Sequence, residues 1–439
     1  MLFSLALARI GAVQSPLLPL YRAHETGQVL RRTRAAFFAA PGVRRGFDHR
    51  AMADRLAAGL PRPPTVIDAD DTLPDADPAV LPPPPADDDV VRWIYWTSGT
   101  TSAPKGVLHT DRSLRTAGHW LGAALRLGPS DIGSMAFPYA HVAGPDYTVM
   151  LLEHGIPAVL LEHFALPGAL AAYRRHRVTL AGGSTAFYAL FLAEARKLPP
   201  GRRLLPSLRL LAGGGAPKPP ALYHEVTAEL GCQLAHGYAM TEAPMVTMGD
   251  PYDSPGHLAH TDGRPPAGME IRIAPESGEI ALRGPAVRRG YLDEPAPFDA
   301  DGFLRTGDLG HLTPTGHLVV TGHLVVTGRL KDIIIRKGEN ISAQEIEELL
   351  YRHPDIADAA VIGLPDPERG ERVCAVVEQP PNAGELALAT LSAHLLTQGL
   401  ARYKLPEQLE LLPALPRGAT LRKVLKQELR ERFGGGGAG

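Results

Sequence analysis

The stretch "VVRWIYWTSGTTSAPKG", Val90 to Gly106, opens on an apolar, β-prone run and ends in a run of small polar residues. From Trp96 onward, eleven positions hold three threonines, two serines, two glycines, a proline and one lysine. Small hydroxyl residues and glycine favour turns over helix or strand interiors, so a strand is expected to open here into a polar loop. A Walker loop needs Gly, four residues, then Gly-Lys-Ser/Thr. Pro104 precedes Lys105 and Gly106 follows it, so that reading fails. Main-chain amides, hydroxyls and one lysine still suffice to cradle phosphate oxygens. A merely solvated loop is the other reading, and the loop alone does not separate the two.

Working outward, the flanks of this strand read as a parallel α/β sheet. Upstream come helix "FSLALARIGA", helix "RAHETGQVLRRTRA", strand "AFFAAP" and helix "HRAMADRLAAGL". Residues 61–89, full of prolines and aspartates that cannot build a core, are a surface linker holding one short strand, "TVI". Downstream, helices are expected over 111–126, 145–154, 166–176, 185–197 and 219–230, with strands "GSMAF", "PAVLL", "TLAGG" and "LRLLAGGG" between them. Glycine-rich tails fall at the carboxyl ends of strands, where open α/β sheets bind ligands.

After Met240 the pattern changes. "GMEIRIAPESGEIALRGPAVRRGYLD" alternates as short antiparallel strands. Beyond Asp332 a compact α+β unit follows, with strands "DIIIRK", "DAAVIGLP" and "ERVCAVVE" and helices over 342–352 and 387–399. The expected fold class is α/β. It has a large amino-terminal domain of mixed sheets flanked by helices, a small antiparallel barrel-like subdomain, and a small α+β carboxy-terminal domain. The predicted boundaries are 1–328 for the large domain, 329–332 for a hinge, 333–434 for the small domain and 435–439 for a disordered tail.

Composition narrows the function. The 439 residues are 44% hydrophobic and 21% charged, with a formal net charge of −2. That balance gives no electrostatic reason to expect nucleic acid or an anionic membrane as partner. Cys232 and Cys374 stand far apart, which excludes a disulfide framework and points to two inert packing residues in a reducing compartment. "MLFSLALARIGA" lacks a basic leading region and is interrupted by Arg9, so it reads as an amphipathic helix, not a signal peptide. No stretch reaches the roughly 20 apolar residues that span a bilayer, and the expected location is cytoplasmic.

The loop does not stand alone. "GGGAP" (Gly213–Pro217), "GYAMTE" (Gly237–Glu242), "RTGDLG" (Arg305–Gly310), "GRLKD" (Gly328–Asp332), "RKGENI" (Arg336–Ile341) and "PRGATLRKVLK" (Pro416–Lys426) follow it in order. With this ordered set the chain resembles the acyl-adenylate-forming superfamily of acyl-CoA synthetases, luciferases and peptide-synthetase adenylation domains. "AHVAGPDY", "AGGSTAFY" and "IIIRKGENISAQEIEELL" look most like acyl-CoA synthetases of the cyclohexanecarboxylate and medium-chain type.

The resemblance implies an AMP-forming acyl-CoA ligase that uses ATP, Mg²⁺ and coenzyme A on a small-molecule carboxylic acid. It implies that Thr97, Ser98, Gly99, Thr100, Thr101 and Lys105 hold the β- and γ-phosphates of ATP. Tyr238 would stack on adenine, with Gly214, Gly215, Ala216 and Pro217 along the base and Ala239 and Met240 completing the nucleotide turn. Thr241 would touch the α-phosphate and Glu242 would ligate Mg²⁺. Asp308, helped by Arg329, would accept the ribose hydroxyls. These types suit the task, since a carboxylate accepts from a diol and Mg²⁺ takes hard oxygen ligands. His141 resembles the histidine beside the acyl pocket, although a lone histidine in an apolar stretch also reads as packing. Lys423 resembles the adenylation lysine. Strict spacing puts Arg422 there instead, and Arg422 stays the competing assignment. Lys331 is the hinge position, and Arg336, Lys337 and Gly338 would meet coenzyme A phosphates after the small domain rotates.

Departures from the pattern carry their own expectations. Ser102 replaces the second loop glycine, and Ala239 replaces the glycine after the stacking tyrosine. A β-carbon at 239 narrows the acyl pocket if φ there is negative and strains the turn if it is positive. The amino terminus is short for the family, so Met1 is expected to be an internal start. Two rivals to the ligase are a fatty-acyl-AMP ligase that loads a carrier protein and a truncated, non-catalytic AMP-binding protein. Finally, "HLVVTGHLVVTG", His317 to Gly328, is a perfect six-residue tandem repeat. The copy joined to Arg329 is expected to pair in the sheet, and the first copy to bulge to solvent.

Overall fold

The computed structural model describes residues 1–71, 77–97, 105–136, 138–215, 218–294, 298–323, 333–337, 339–380, 383–384, 386–417 and 424–434. The chain forms two compact units. One comprises residues 1–18, 83–96 and 106–329, the other residues 19–82, 97–105 and 330–439.

In the first unit, strands Leu180–Gly183, Leu210–Gly214 and Gln233–Gly237 form a parallel sheet with Leu210–Gly214 in the middle. Leu180, Leu210, Leu211 and Leu234 are wholly buried, as expected of strands covered on both faces. Helix Thr185–Ala195 covers the sheet with Tyr188 and Phe191. The helix predicted over 219–230 starts α-helical at Pro220–Glu225 and winds as a π segment over Val226–Leu230. Strand Val91–Thr97 joins Lys105–Thr110 and Gly290–Tyr291 in a second sheet. Strand Lys105–Thr110 runs straight into helix Asp111–Ala124. The reason is local: the Thr110 hydroxyl accepts from Ser113 N and the Ser113 hydroxyl from Thr110 N, both at 3.1 Å, a reciprocal N-cap. Thus "TDRS" sets where the helix starts.

An antiparallel sheet follows in the order Glu270–Ile273, Glu279–Arg283, Leu304–Leu312, Leu318–His323. Its last strand corrects the expectation about the repeat. The first copy pairs, with Leu312 opposite Leu318 and His311 opposite Val319. The second copy, after His323, lies outside the described residues. The turn that precedes the repeat decides the matter. Gly316 takes φ +78°, Thr313 N donates to His317 O at 2.8 Å, and His317 N donates to the Thr313 hydroxyl at 3.1 Å. A closed turn fixes the register of whatever follows it, and the first copy follows. His317 and Leu318 are wholly buried.

The second unit has a parallel strand pair, Phe37–Ala40 with Thr65–Asp68, flanked by helices Ala23–Thr33 and His49–Ala58. Its larger sheet runs Glu339–Ser342, Ile333–Arg336, Gly370–Glu378, Asp358–Asp366, with Gln408–Leu412 pairing parallel to Gly370–Glu378. Helices Ala343–Leu350 and Leu388–Thr397 pack on it through Ile346, Leu349, Leu391 and Leu395. Both cysteines are buried, and burial pushes each thiol up to about 12, far from a reactive thiolate. Among the described residues no helix is long and apolar enough to cross a membrane.

Candidate active site

The carboxyl ends of the parallel strands supply the frame. Strands Leu210–Gly214 and Gln233–Gly237 end side by side with Gly214 opposite Gly237. A β-carbon on Gly214 would lie 2.4 Å from Gly237 O, so only glycine permits this approach. Gly215 then turns the chain at φ +82°.

From Gly237 the chain enters a tight turn. Met240 and Ala243 exchange backbone hydrogen bonds of 3.0 and 2.9 Å, which places Thr241 and Glu242 at its tip. Tyr238 is tied back by Thr247, whose hydroxyl accepts from Tyr238 N at 3.2 Å. The Tyr238 phenol donates to the Asp308 carboxylate, 70 residues away in sequence. Burial, then Asp308, raises the phenol well above its ordinary pKa, so it remains a donor. Asp308 follows Gly307, at φ +77°, and its N–H donates to the Thr306 hydroxyl at 3.0 Å. Ala239 has a negative φ, since positive φ among the described non-glycine residues is confined to Arg34, Arg45, Arg126, Arg177 and Lys337. The β-carbon therefore does not strain this turn.

The turn tip is held from below by residues the sequence reading passed over. His109 is wholly buried; its Nε2 lies 2.7 Å from Thr241 O and its Nδ1 3.1 Å from the Ser113 hydroxyl. A carbonyl accepts, so Nε2 carries the proton and Nδ1 is the acceptor. Burial pulls this imidazole down to about 4 and keeps it neutral. Tyr291 donates from its phenol to Glu242 Oε1 at 2.6 Å. Arg288 N donates to Glu242 O at 2.8 Å, and the Arg288 guanidinium lies 3.5 Å from the Tyr291 ring centre. In the sequence Arg288 and Tyr291 fall within the stretch "GMEIRIAPESGEIALRGPAVRRGYLD", which carries only its strand alternation.

Glu242 fits a hard cation. It is buried, one oxygen is oriented by Tyr291, and Oε2 has no hydrogen-bond partner among the described residues.

His141 sits just ahead of helix Ala143–Glu153, and its Nδ1 accepts from Ala143 N at 3.3 Å. His141 is exposed, and desolvation of its ring lowers its pKa. Thr97 ends strand Val91–Thr97, and Lys105 opens strand Lys105–Thr110. Ser98, Gly99, Thr100, Thr101, Ala216, Pro217, Arg329, Lys331, Gly338, Arg422 and Lys423 lie outside the described residues. In the second unit, Arg336 is paired with Glu407 through two nitrogens at 3.0 and 2.6 Å. Lys337 turns at φ +52° and is exposed.

The structure thus joins Asp308 to Tyr238 by a hydrogen bond, with Thr241 and Glu242 at the tip of the turn that Tyr238 enters. Comparison with known proteins places this arrangement. The 7a-methyl-1,5-dioxo-octahydroindenyl-propanoyl:CoA ligase of Mycobacterium tuberculosis is 36% identical, covering 97% of this chain and 85% of that protein. The medium-chain fatty-acid–CoA ligase of Escherichia coli is 32% identical over 97% of this chain and 78% of its own length. A salicyl-AMP ligase/salicyl-S-ArCP synthetase of Mycobacterium tuberculosis is 34% identical over 94% and 75%. Among solved structures, o-succinylbenzoate-CoA synthetase of Bacillus subtilis superposes with a TM-score of 0.81 at 27% identity, covering 97% of this chain and 85% of that one. A malonyl-CoA ligase superposes at 0.80 with 29% identity, over 94% and 87%. Residues 1–292 match the AMP-binding enzyme family and residues 345–434 the AMP-binding enzyme C-terminal domain, so the chain belongs to the AMP-binding enzymes and is an AMP-forming acid–thiol ligase.

Proposed function

We propose that the chain activates an alicyclic or medium-chain carboxylic acid and passes the acyl group to coenzyme A. The observation that carries this reading is the Gly237–Glu242 turn. Within six residues it joins a phenol bonded to Asp308 to a carboxylate oriented by Tyr291. Tyr238 and Asp308 would take the adenosine, Thr241 the α-phosphate, and the Thr97–Gly106 loop with Lys105 the outer phosphates. In the first step a substrate carboxylate oxygen attacks the α-phosphorus. The acyl–phosphate bond forms, and the bond to the bridging oxygen breaks, releasing pyrophosphate. Lys423 would neutralise charge developing between carboxylate and phosphate. In the second step the coenzyme A sulfur attacks the acyl carbon, AMP leaves with the carboxylate oxygen, and the thiol proton passes to solvent. Glu242 would hold Mg²⁺, which when bound offsets polyphosphate charge.

We place the division between a large domain (1–328) and a small one (333–434) at a hinge over 329–332. Rotation there would exchange Lys423 for Lys337 and Arg336 at the reaction centre. The apolar "AHVAG" stretch around His141 and the similarity to a medium-chain fatty-acid–CoA ligase and an octahydroindenyl-propanoyl:CoA ligase support a hydrocarbon acid. The deciding test supplies ATP, Mg²⁺ and a panel of alicyclic, aryl and medium-chain acids, and measures pyrophosphate release and then thioester with coenzyme A. Pyrophosphate release without any coenzyme A thioester would favour delivery to a carrier protein instead. Lys423→Ala should slow adenylation by about two to three orders of magnitude. It should spare thioester formation from supplied acyl-adenylate. Loss on Arg422→Ala alone would transfer the role to that residue.

A further inference from the structure

Arg288 and Arg289 are neighbours with opposite fates. Arg289 is exposed and paired with Asp89. Arg288 is 2% exposed, and among the described residues none of its three guanidinium nitrogens has a hydrogen-bond partner. Among the described residues it is the one buried guanidinium left wholly without an acceptor. The Tyr291 ring, 3.5 Å away, offers a cation–π contact but accepts none of the five N–H groups. A buried, unpaired charge is among the costliest features a fold can keep, and methionine would fill the same space without that cost.

Its position says what the missing acceptor is. Residue 288 is joined to the Glu242 backbone, and the next residues, Gly290 and Tyr291, pair with Leu108 and Val107 of the strand that continues the Thr97–Gly106 loop. The backbone at 288 therefore joins the carboxylate that fits a metal to the strand leaving the polar loop, and the guanidinium lies over the Tyr291 ring whose phenol donates to that carboxylate. Two carboxylates, Glu242 and Glu294, act on it electrostatically, yet neither accepts from its guanidinium, and Glu242 already accepts from Tyr291. An acceptor that brings several negative oxygens to this spot satisfies both the unpaired donors and the charge. Guanidinium is suited to phosphate oxygens in particular.

We propose that Arg288 is a polyphosphate-contacting residue, donating to the outer phosphates of ATP and to the pyrophosphate that leaves. This rests on the nucleotide reading of the Gly237–Glu242 turn. The test is calorimetric binding of three probes, in the presence of Mg²⁺, to the full chain: AMP, pyrophosphate and α,β-methylene-ATP. For Arg288→Met, the two polyphosphates should bind about tenfold or more weakly, the scale of losing a hydrogen bond to a charged group, with AMP affinity kept. Arg288→Lys should recover part of the loss, and unliganded Arg288→Met should melt no lower than wild type. Unchanged polyphosphate binding, an equal loss for AMP, or a methionine variant that fails to fold would each overturn the proposal. Glu242→Gln separates the two layers. If it leaves pyrophosphate binding intact, the phosphate site itself is misplaced; if it weakens binding and Arg288→Met does not, only the role of Arg288 falls.

Discussion

His109 shows what one buried ring can do for a tight turn. Both ring nitrogens are engaged, and the imidazole is held down at about 4. An unfolded histidine titrates near 6.5, so between that value and 4 the unfolded chain binds the proton and the folded chain does not. Stability therefore falls as pH drops through this window, by about 2 kcal/mol at pH 5 for a shift of this size. His109→Gln keeps an amide donor for Thr241 O and cannot titrate, so its denaturation midpoint should move less between pH 7 and pH 5. An equal acid dependence in the variant would show that the proton goes elsewhere. The residue scale is also where the sequence is least complete. Tyr238, Thr241, Glu242 and Asp308 stood out in the sequence because each sits in a short motif with a chemistry of its own. His109, Arg288 and Tyr291 act on those residues through contacts spanning 132, 46 and 49 positions. Nothing local marks such a contact, and a histidine in "VLHT" reads as packing.

At the scale of elements, one ion cluster ties three pieces of the second unit together. Lys404 Nζ lies 2.8 Å from Glu345 of helix Ala343–Leu350 and 3.0 Å from Glu25 of helix Ala23–Thr33. All three side chains are buried. Burial opposes ionisation of Glu25, but Lys404 and backbone donors prevail and lower its pKa. Glu345 shares the same ammonium less favourably, and its pKa rises, chiefly from burial. Removing the cation leaves two buried carboxyl groups facing each other. Lys404→Met should cost about 3–5 kcal/mol in chemical denaturation, and adding Glu25→Gln and Glu345→Gln should restore much of it. A loss below 1 kcal/mol in the single variant would mean the cluster is already solvated. The helices in this cluster were readable from apolar periodicity and cap residues, as were most parallel strands. Strand Gln408–Leu412 and the hairpin of Val43–Arg44 with Phe47–Asp48 were not. The first owes its place to a parallel partner about 34 residues back, and the second is too short to show a period.

Over the whole chain, the tandem repeat is the feature for which sequence and structure gave different answers, and the difference is instructive. Reasoning from the carboxyl side gave the pairing to the copy joined to Arg329. The turn Thr313–Gly316 acts from the amino side and gives it to the first copy, with Asp262 N donating to Leu318 O at 2.8 Å and Leu318 N to Gly263 O at 2.9 Å. Register is set by the end that is closed, and sequence alone did not say which end that was. Because the copies are identical, deleting residues 317–322 yields the same chain as deleting 323–328, and the remaining copy meets the same turn. Six is even, so the side chains keep their faces, and the strand should re-form with His317 and Leu318 in place. The single-copy chain should therefore match the full chain in melting temperature and in the adenylation rate. Thioester formation is the informative step, because the deletion shortens the path between this sheet and the proposed hinge by six residues. Surface length changes contribute little closure free energy, so that rate is expected to hold within about twofold. Measuring the two half-reactions separately decides it: a selective fall in thioester formation would show that domain rotation uses the extra copy, and the duplication would then be a working part of the hinge.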